Sequence, residues 1–244
     1  MLDLKAFDAL TFDCYGTLID WERGILDALR HWRQRAPGLA DAEVLAAFAQ
    51  CEPEIQAEHP TLLYPDVLAE ALRRIGRRFD APPTPAECAA FAASIGGWPA
   101  FPDSPAALRD LQGRYKLAVI SNVDRASFAR SQARLGVEFD LIVTAQDVGC
   151  YKPNPRNFEF ALEKLRAAGV PRERVLHVAQ SLFHDHVPAK ALGLRTVWVT
   201  RGGDRAATGA TRRPDAAVEP DLIVPDLAAL AAAAHSARDG SASG

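Results

Sequence analysis

Short apolar runs recur along the chain, separated by longer segments with helical spacing. Residues 6–12 form the first run and lead into the turn Asp13-Cys14-Tyr15-Gly16-Thr17. Four more come much later, at Lys116–Ser121, Leu141–Thr144, Val175–Ala179 and Thr196–Thr200, each rich in Val or Ile. Runs that are apolar at successive positions predict strands covered on both faces. Helical patterns over Ser104–Arg114, Arg125–Leu135, Pro155–Ala168 and His186–Leu192 lie between them, and this alternation predicts a parallel α/β sheet. Asp221–Val224 predicts an edge strand, and residues 227–244 predict a helix followed by a disordered Ser/Gly-rich tail.

Between the first and second runs the pattern changes. Residues 19–97 hold no strand pattern, only helical candidates at Trp21–Arg35, Ala40–Gln56, Tyr64–Phe79 and Thr84–Ile95. Pro and Gly signals such as Ala36-Pro37-Gly38 and Ala81-Pro82-Pro83 separate them. The reading is a core of residues 1–18 and 98–226 with a helical cap of 19–97 inserted after the first strand. Such a cap sits over the carboxyl ends of the strands, where open α/β sheets bind ligands.

Composition narrows the function. The 244 residues are 48% hydrophobic and 24% charged, as in a globular protein with a sizeable core. A net charge of -3 gives no basic face for nucleic acid. No apolar run approaches the ~20 residues of a membrane helix, and Asp3 and Asp8 interrupt the start where a signal peptide is apolar. Cys14, Cys51, Cys88 and Cys150 are widely spaced and suggest neither a zinc site nor a disulfide framework. The expectation is a soluble, reduced, cytoplasmic protein acting on a small molecule, with a homodimer left open.

Candidate chemistry sits where predicted strands end. Asp13 closes the first, Ser121-Asn122 the second, and His184-Asp185-His186 follows the fourth. Lys152 lies in Tyr151-Lys152-Pro153-Asn154-Pro155, before a helix that Pro155 favours. Singly, each has a plain structural use as a cap or a surface charge. Two carboxylates, a hydroxyl and a lysine at the carboxyl ends of parallel strands would instead converge on one cleft. His177, His184 and His186 also raise a zinc site, though helix capping is the commoner use of the pair around Asp185.

The segments Asp13–Leu18, Ser121-Asn122, Tyr151–Pro155 and His184-Asp185 resemble the four ordered motifs of the haloacid dehalogenase superfamily, most of all its L-2-haloacid dehalogenases. The resemblance implies a Rossmann-like parallel sheet with an inserted helical cap. It also implies a hydrolase in which Asp13 displaces halide to form an aspartyl ester that water then hydrolyses. Lys152 would keep Asp13 ionised, Thr17 would bond it or its loop, and Asp185 would position Lys152 or the water. Ser121 and Asn122 would hold the substrate carboxylate. Phosphatases of the superfamily carry an acid two residues after the nucleophile, where this chain has Tyr15. A phenol with an ordinary pKa of ~10 is a poor proton shuttle, and a departing halide needs no proton. No cofactor is then expected. The alternative is a magnesium-dependent phosphatase with its ion on Asp13, the Tyr15 carbonyl and Asp185; an idle binding protein is a third reading.

Characterised L-2-haloacid dehalogenases cradle the halide with an arginine on an early cap helix. Here residues 36–72 contain neither Arg nor Lys, and the corresponding helix carries Gln50, Glu52 and Glu54. Gln50, Trp98, His184 and Ser181 are therefore the expected substrate and halide contacts, with slow haloacid turnover. A tyrosine expected after Lys152 is Phe158, and the stretch before Asp185 reads Ala179-Gln180-Ser181, one residue further from it than in the family pattern.

Overall fold

A computed structural model describes residues 2–202 and 214–239. Six parallel strands form one sheet: β1 (Ala9–Phe12), β2 (Lys116–Ser121), β3 (Leu141–Thr144), β4 (Val175–Ala179), β5 (Arg195–Val199) and β6 (Leu222–Val224). Their order is β3-β2-β1-β4-β5-β6. All four residues of β1 are buried, as apolar side chains on both faces require. Phe12 pairs with Val119 of β2 on one side and Val178 of β4 on the other. The chain runs from β1 to β2 and β3 on one side and returns to β4 on the other, so the carboxyl end of β1 opens at the crevice where such sheets bind ligands.

Helices cover both faces: α6 (Ser104–Gln112), α7 (Arg125–Leu135), α8 (Ala145–Val148), α9 (Arg156–Ala167), α10 (Val187–Ala191) and α11 (Leu227–Asp239). Asp124 caps α7 through the Ser127 N–H, and Gly136 ends it in the left-handed conformation that glycine adopts readily. Phe158, Ala161 and Leu165 of α9 pack with Ala118, Ile120 and Val143 on one side of the sheet. The expected helix after Leu227 is α11; residues 240–244, read as its tail, lie outside the described residues.

Between β1 and α6 stand only helices: α1 (Trp21–Ala28), α2 (Arg30–Arg33), α3 (Asp41–Glu58), α4 (Tyr64–Arg78) and α5 (Pro85–Ser94). The single helix expected over Trp21–Arg35 is broken at Leu29, which leaves helical geometry and caps α1 with its own N–H. That break lets Trp32 turn inward, where its indole N–H donates to the Ala81 carbonyl at 2.8 Å. Pro53 sits inside α3 without ending it. No strand lies within 20–95 among the described residues.

Gly24 brings α1 against Trp98, where the chain returns to the sheet. A Cβ on Gly24 would lie 2.2 Å from the Trp98 Cγ, and Trp98 is buried with no room to retreat. Gly24→Ala is expected to cost about 1–3 kcal/mol through overpacking, seen as a lower denaturation midpoint at unchanged slope. A loss below ~0.5 kcal/mol would mean that Trp98 gives way freely.

Candidate active site

Asp13 stands one residue beyond β1, and its N–H still bonds the Val178 carbonyl of β4 at 3.1 Å. The chain then turns through Gly16, whose φ of +97° suits glycine. This turn brings the Thr17 hydroxyl back to Asp13 Oδ2 at 2.7 Å, while the Gln180 N–H donates to the same hydroxyl at 2.9 Å. Arg201, beyond β5, locks the loop from below. Its guanidinium donates to the Thr17 carbonyl at 2.9 and 2.6 Å and to Asp103 at 2.6 Å, and it lies 4.1 Å over the Phe101 ring.

Lys152 enters from the loop between α8 and α9 and is buried. Its ammonium donates to Asp13 Oδ1 at 2.9 Å, Asp185 Oδ1 at 2.7 Å and the Ile120 carbonyl at 2.8 Å. An ammonium has three N–H donors, so every one is committed to the protein. Asn122 fixes the lysine backbone from both sides: the Lys152 N–H donates to its Oδ1 at 2.6 Å, and its Nδ2 donates to the Lys152 carbonyl at 3.1 Å.

Asp185 lies in a π-helical turn, Leu182–His186, in which the His186 N–H reaches back to the Ser181 carbonyl at 3.3 Å. This wider turn absorbs the extra residue noted between Ser181 and Asp185 and returns the carboxylate to the lysine. His177 supports it from β4, its Nε2 3.1 Å from Asp185 Oδ1 and its Nδ1 2.9 Å from the Thr11 hydroxyl. With Asp185 ionised, the His177 Nε2–H donates to it. Phe158, where a tyrosine was expected, packs edge-on against His177 at 5.0 Å.

Burial and neighbouring charges oppose one another across this cluster. Burial alone would push Asp185 up, but Lys152 and His177 outweigh it and hold the carboxyl well below the usual range. Burial also works against the Lys152 ammonium, yet Asp13 and Asp185 keep its pKa above the ordinary value. Asp13 is raised, chiefly by burial and further by Asp185, against the opposing pull of Lys152 and Thr17. Burial pushes the Cys14 thiol well above its normal value, which leaves it no nucleophile beside Asp13.

The cavity over Asp13 measures about 40 Å³ on a scale where one water takes ~10–15 Å³. Asp13, Tyr15, Asn122, Lys152, Ser181, His184 and Asp185 line its floor and sides; Trp21 of α1, Glu52 of α3 and Tyr64 of α4 close it from the helical insertion. The Tyr15 hydroxyl is turned to Ser131 at 2.7 Å, and burial pushes it well above the ordinary phenol range.

Three expected contacts lie elsewhere. Gln50 is exposed and accepts from Arg78, because its position on α3 faces outward. Trp98 is buried beneath Tyr15, its ring edge-on at 5.8 Å and its N–H on Ser94. Ser121 is buried outside the cavity lining, with no hydrogen-bond partner for its hydroxyl. The other eight expected residues, Asp13, Tyr15, Thr17, Asn122, Lys152, Ser181, His184 and Asp185, gather in one place. His184 and His186 form no metal cluster with other residues: among the described residues no group of three or more His, Cys, Asp or Glu could hold an ion. His186 instead bonds the Ala179 carbonyl, and burial pushes its imidazole down to about 4.

Sequence reading missed Glu52, Tyr64, His177 as a support, and Arg201. Glu52 carried a signal. Val44, Phe48 and Glu52 recur at every fourth position, so the acid continues a buried apolar stripe of α3. Arg201 carried none, since its partners are backbone and side chains about a hundred or more residues away in sequence.

A magnesium ion in the manner that the resemblance implies would draw on Asp13, the Tyr15 carbonyl and Asp185. Asp185 Oδ2 is a buried carboxylate oxygen without a hydrogen-bond partner, so the residues present fit such an ion.

A family model described as haloacid dehalogenase-like hydrolase matches residues 7–193. An (S)-2-haloacid dehalogenase of Pseudomonas sp. is 27% identical over 209 residues, 80% of this chain and 83% of that protein. A pyrimidine 5'-nucleotidase of Escherichia coli is 35% identical over 101 residues, 40% of this chain; the chain spans less than half, 44%, of that relative. In fold, the chain resembles an L-2-haloacid dehalogenase from Xanthobacter autotrophicus with a TM-score of 0.78, at 23% identity over 94% of this chain and 98% of that one. Among the described residues no helix is long and apolar enough to cross a membrane. With this sheet order, the Asp13–Lys152–Asp185 cluster and a family match over most of its length, the chain belongs to the haloacid dehalogenase-like hydrolases.

Proposed function

We propose that the protein hydrolyses small 2-haloalkanoic acids through an aspartyl ester on Asp13, without a metal ion. The observation that carries this reading is Tyr15. Where a phosphatase needs an acid, this chain has a buried phenol turned to Ser131, with a pKa pushed away from neutrality. Displacement of halide at carbon needs no proton at that point. The 40 Å³ cavity suits a substrate of a few non-hydrogen atoms.

In the first step an Asp13 oxygen attacks the carbon that bears the halogen; the C–O bond forms as the C–halogen bond breaks, and the halide leaves with the electron pair. Lys152 balances the charge of Asp13 and holds its orientation but, with all three donors engaged, does not bind substrate. Asn122 and Ser181 line the cavity on the side available to the substrate carboxylate. In the second step water attacks the Asp13 carbonyl of the ester, and the unpartnered Asp185 Oδ2 is the acceptor that would orient it. Residues 19–97 act as a cap that excludes bulk water from both steps.

That same unpartnered oxygen favours a second reading, a phosphatase of the kind the nucleotidase relative represents. Asp13, the Tyr15 carbonyl and Asp185 would hold magnesium, which would neutralise charge on a phosphoryl group. An assay of chloroacetate, 2-chloropropionate and an aryl phosphate, with EDTA or with magnesium, separates the two. Halide release that survives EDTA is the expected result. Phosphate release that requires magnesium, with no halide release, would establish the second reading instead.

A further inference from the structure

Glu52 is the one acidic side chain that the helical insertion contributes to the cavity over Asp13. It is 4% exposed, and its Oε1 accepts both the Gln56 amide at 2.8 Å and the Tyr64 hydroxyl at 3.0 Å. Those bonds fix the carboxyl and leave Oε2 as the oxygen for a proton or a ligand. Among the described residues it makes no ion pair, and Lys152 is the one Lys or Arg lining this cavity, with its donors on Asp13, Asp185 and the Ile120 carbonyl.

An anion leaving Asp13's side of the cavity therefore meets no positive charge on the cap side. What it can meet is an O–H. We propose that the neutral carboxyl of Glu52 donates a hydrogen bond from Oε2 to the departing halide, making this residue both a catalytic group and the selector for fluoro- and chloro-substituted two- and three-carbon acids. The inference rests on the dehalogenase reading above. The C–O bond to Asp13 forms, the carbon–halogen bond breaks with its electron pair on the halide, and the proton stays on Glu52. Fluoride, the strongest hydrogen-bond acceptor of the halides, gains most from such a donor.

The surroundings favour the neutral acid. Burial, against the Tyr64 and Gln56 hydrogen bonds, pushes Glu52 up to about 7. Facing it from the strand ends are Asp13, which repels a second negative charge, Lys152, which favours one, and Asp185. From α4 comes Tyr64, and from the loops Tyr15, Tyr151 and His184. The three phenols are all pushed above their ordinary range by burial and stay neutral alongside it.

Two measurements on the full chain test this. In the first, halide release from fluoroacetate, chloroacetate and bromoacetate is followed against pH in wild type and Glu52→Gln. Wild-type kcat/KM is expected to fall about tenfold per pH unit above ~7, and the limb to vanish in the variant, whose amide cannot ionise. The fluoride-to-bromide rate ratio is expected to drop at least tenfold in Glu52→Gln. A limb that persists in the variant, or an equal loss for all three halides, overturns the proposal. In the second, the infrared band of a protonated carboxyl, present in wild type and absent in Glu52→Gln, is followed as sodium fluoride or chloride is added. A shift is expected. Haloacid turnover with no band shift overturns the role of Glu52 and leaves the dehalogenase reading standing. A shift without release of halide from any haloacid overturns the dehalogenase reading and retains the halide contact.

Discussion

Asparagine at position 13 is expected to reduce haloacid turnover by at least ~10⁴-fold, the scale on which removal of a nucleophile acts. The amide keeps an oxygen for Lys152 and nearly the same volume, so the fold and the cavity survive while the attacking carboxylate is lost. Wild-type enzyme in excess over substrate, turned over once in ¹⁸O-water, is expected to carry the label on Asp13, because water enters at the Asp13 carbonyl. Label in the product alone after one turnover would mean direct attack of water on the substrate, and Asp13 would then be a base. Retention of more than ~1% activity by Asp13→Asn would mean that the Asp13 carboxylate is neither nucleophile nor base.

Lys152→Met is expected to combine a loss of activity of ~10³-fold or more with a cost of about 3–5 kcal/mol, the usual result of stripping one partner from a buried ion pair. It leaves Asp13 and Asp185 buried together without their shared ammonium. The cost of the substitution should then grow with pH. In the wild type the depressed pKa of Asp185 adds stability that is present above the unfolded value and is lost as pH falls through the folded one. In the variant one of the two carboxylates is pushed above its unfolded value, so the folded state binds more protons and stability falls as pH rises from ~4 toward 8. Denaturant midpoints at pH 5 and pH 8 provide the check. A variant that is no less stable than wild type at pH 8 would show that the lysine is dispensable to the core.

The strand ends were legible because parallel strands advertise themselves as dense Val and Ile runs and the chemistry falls directly after them. Lys116–Ser121, Leu141–Thr144 and Val175–Ala179 have the expected bounds. Periodicity could not reveal the break at Leu29, since the apolar pattern continues through it and only the inward turn of Trp32 requires it. Gln50 and Glu52 show the limit most clearly. They are two residues apart on one helix, so that one faces solvent and the other the nucleophile; the stripe of Val44 and Phe48 points to Glu52 rather than Gln50, but not to what that stripe packs against. His177 and Thr11 were hidden for a related reason. A strand buried on both faces gives no alternation to say which side chain points beneath the site.

The central position of β1 has a consequence for how the chain assembles. Ala9 pairs with Lys116 and with Val175, partners 107 and 166 residues further along. At ~5–20 residues per second of synthesis, the first-made strand waits on the order of ten seconds for its second neighbour. During that interval α3, α4 and α5, whose mutual contacts are short-range in sequence, can pack without it. An early-folding insertion replaces a long flexible loop with a compact spacer, so the ends of β1 and β2 meet at a smaller entropic cost. The element that closes the cavity in the finished protein thus also acts, during biogenesis, as the clasp that brings the nucleophile's strand to its place in the sheet.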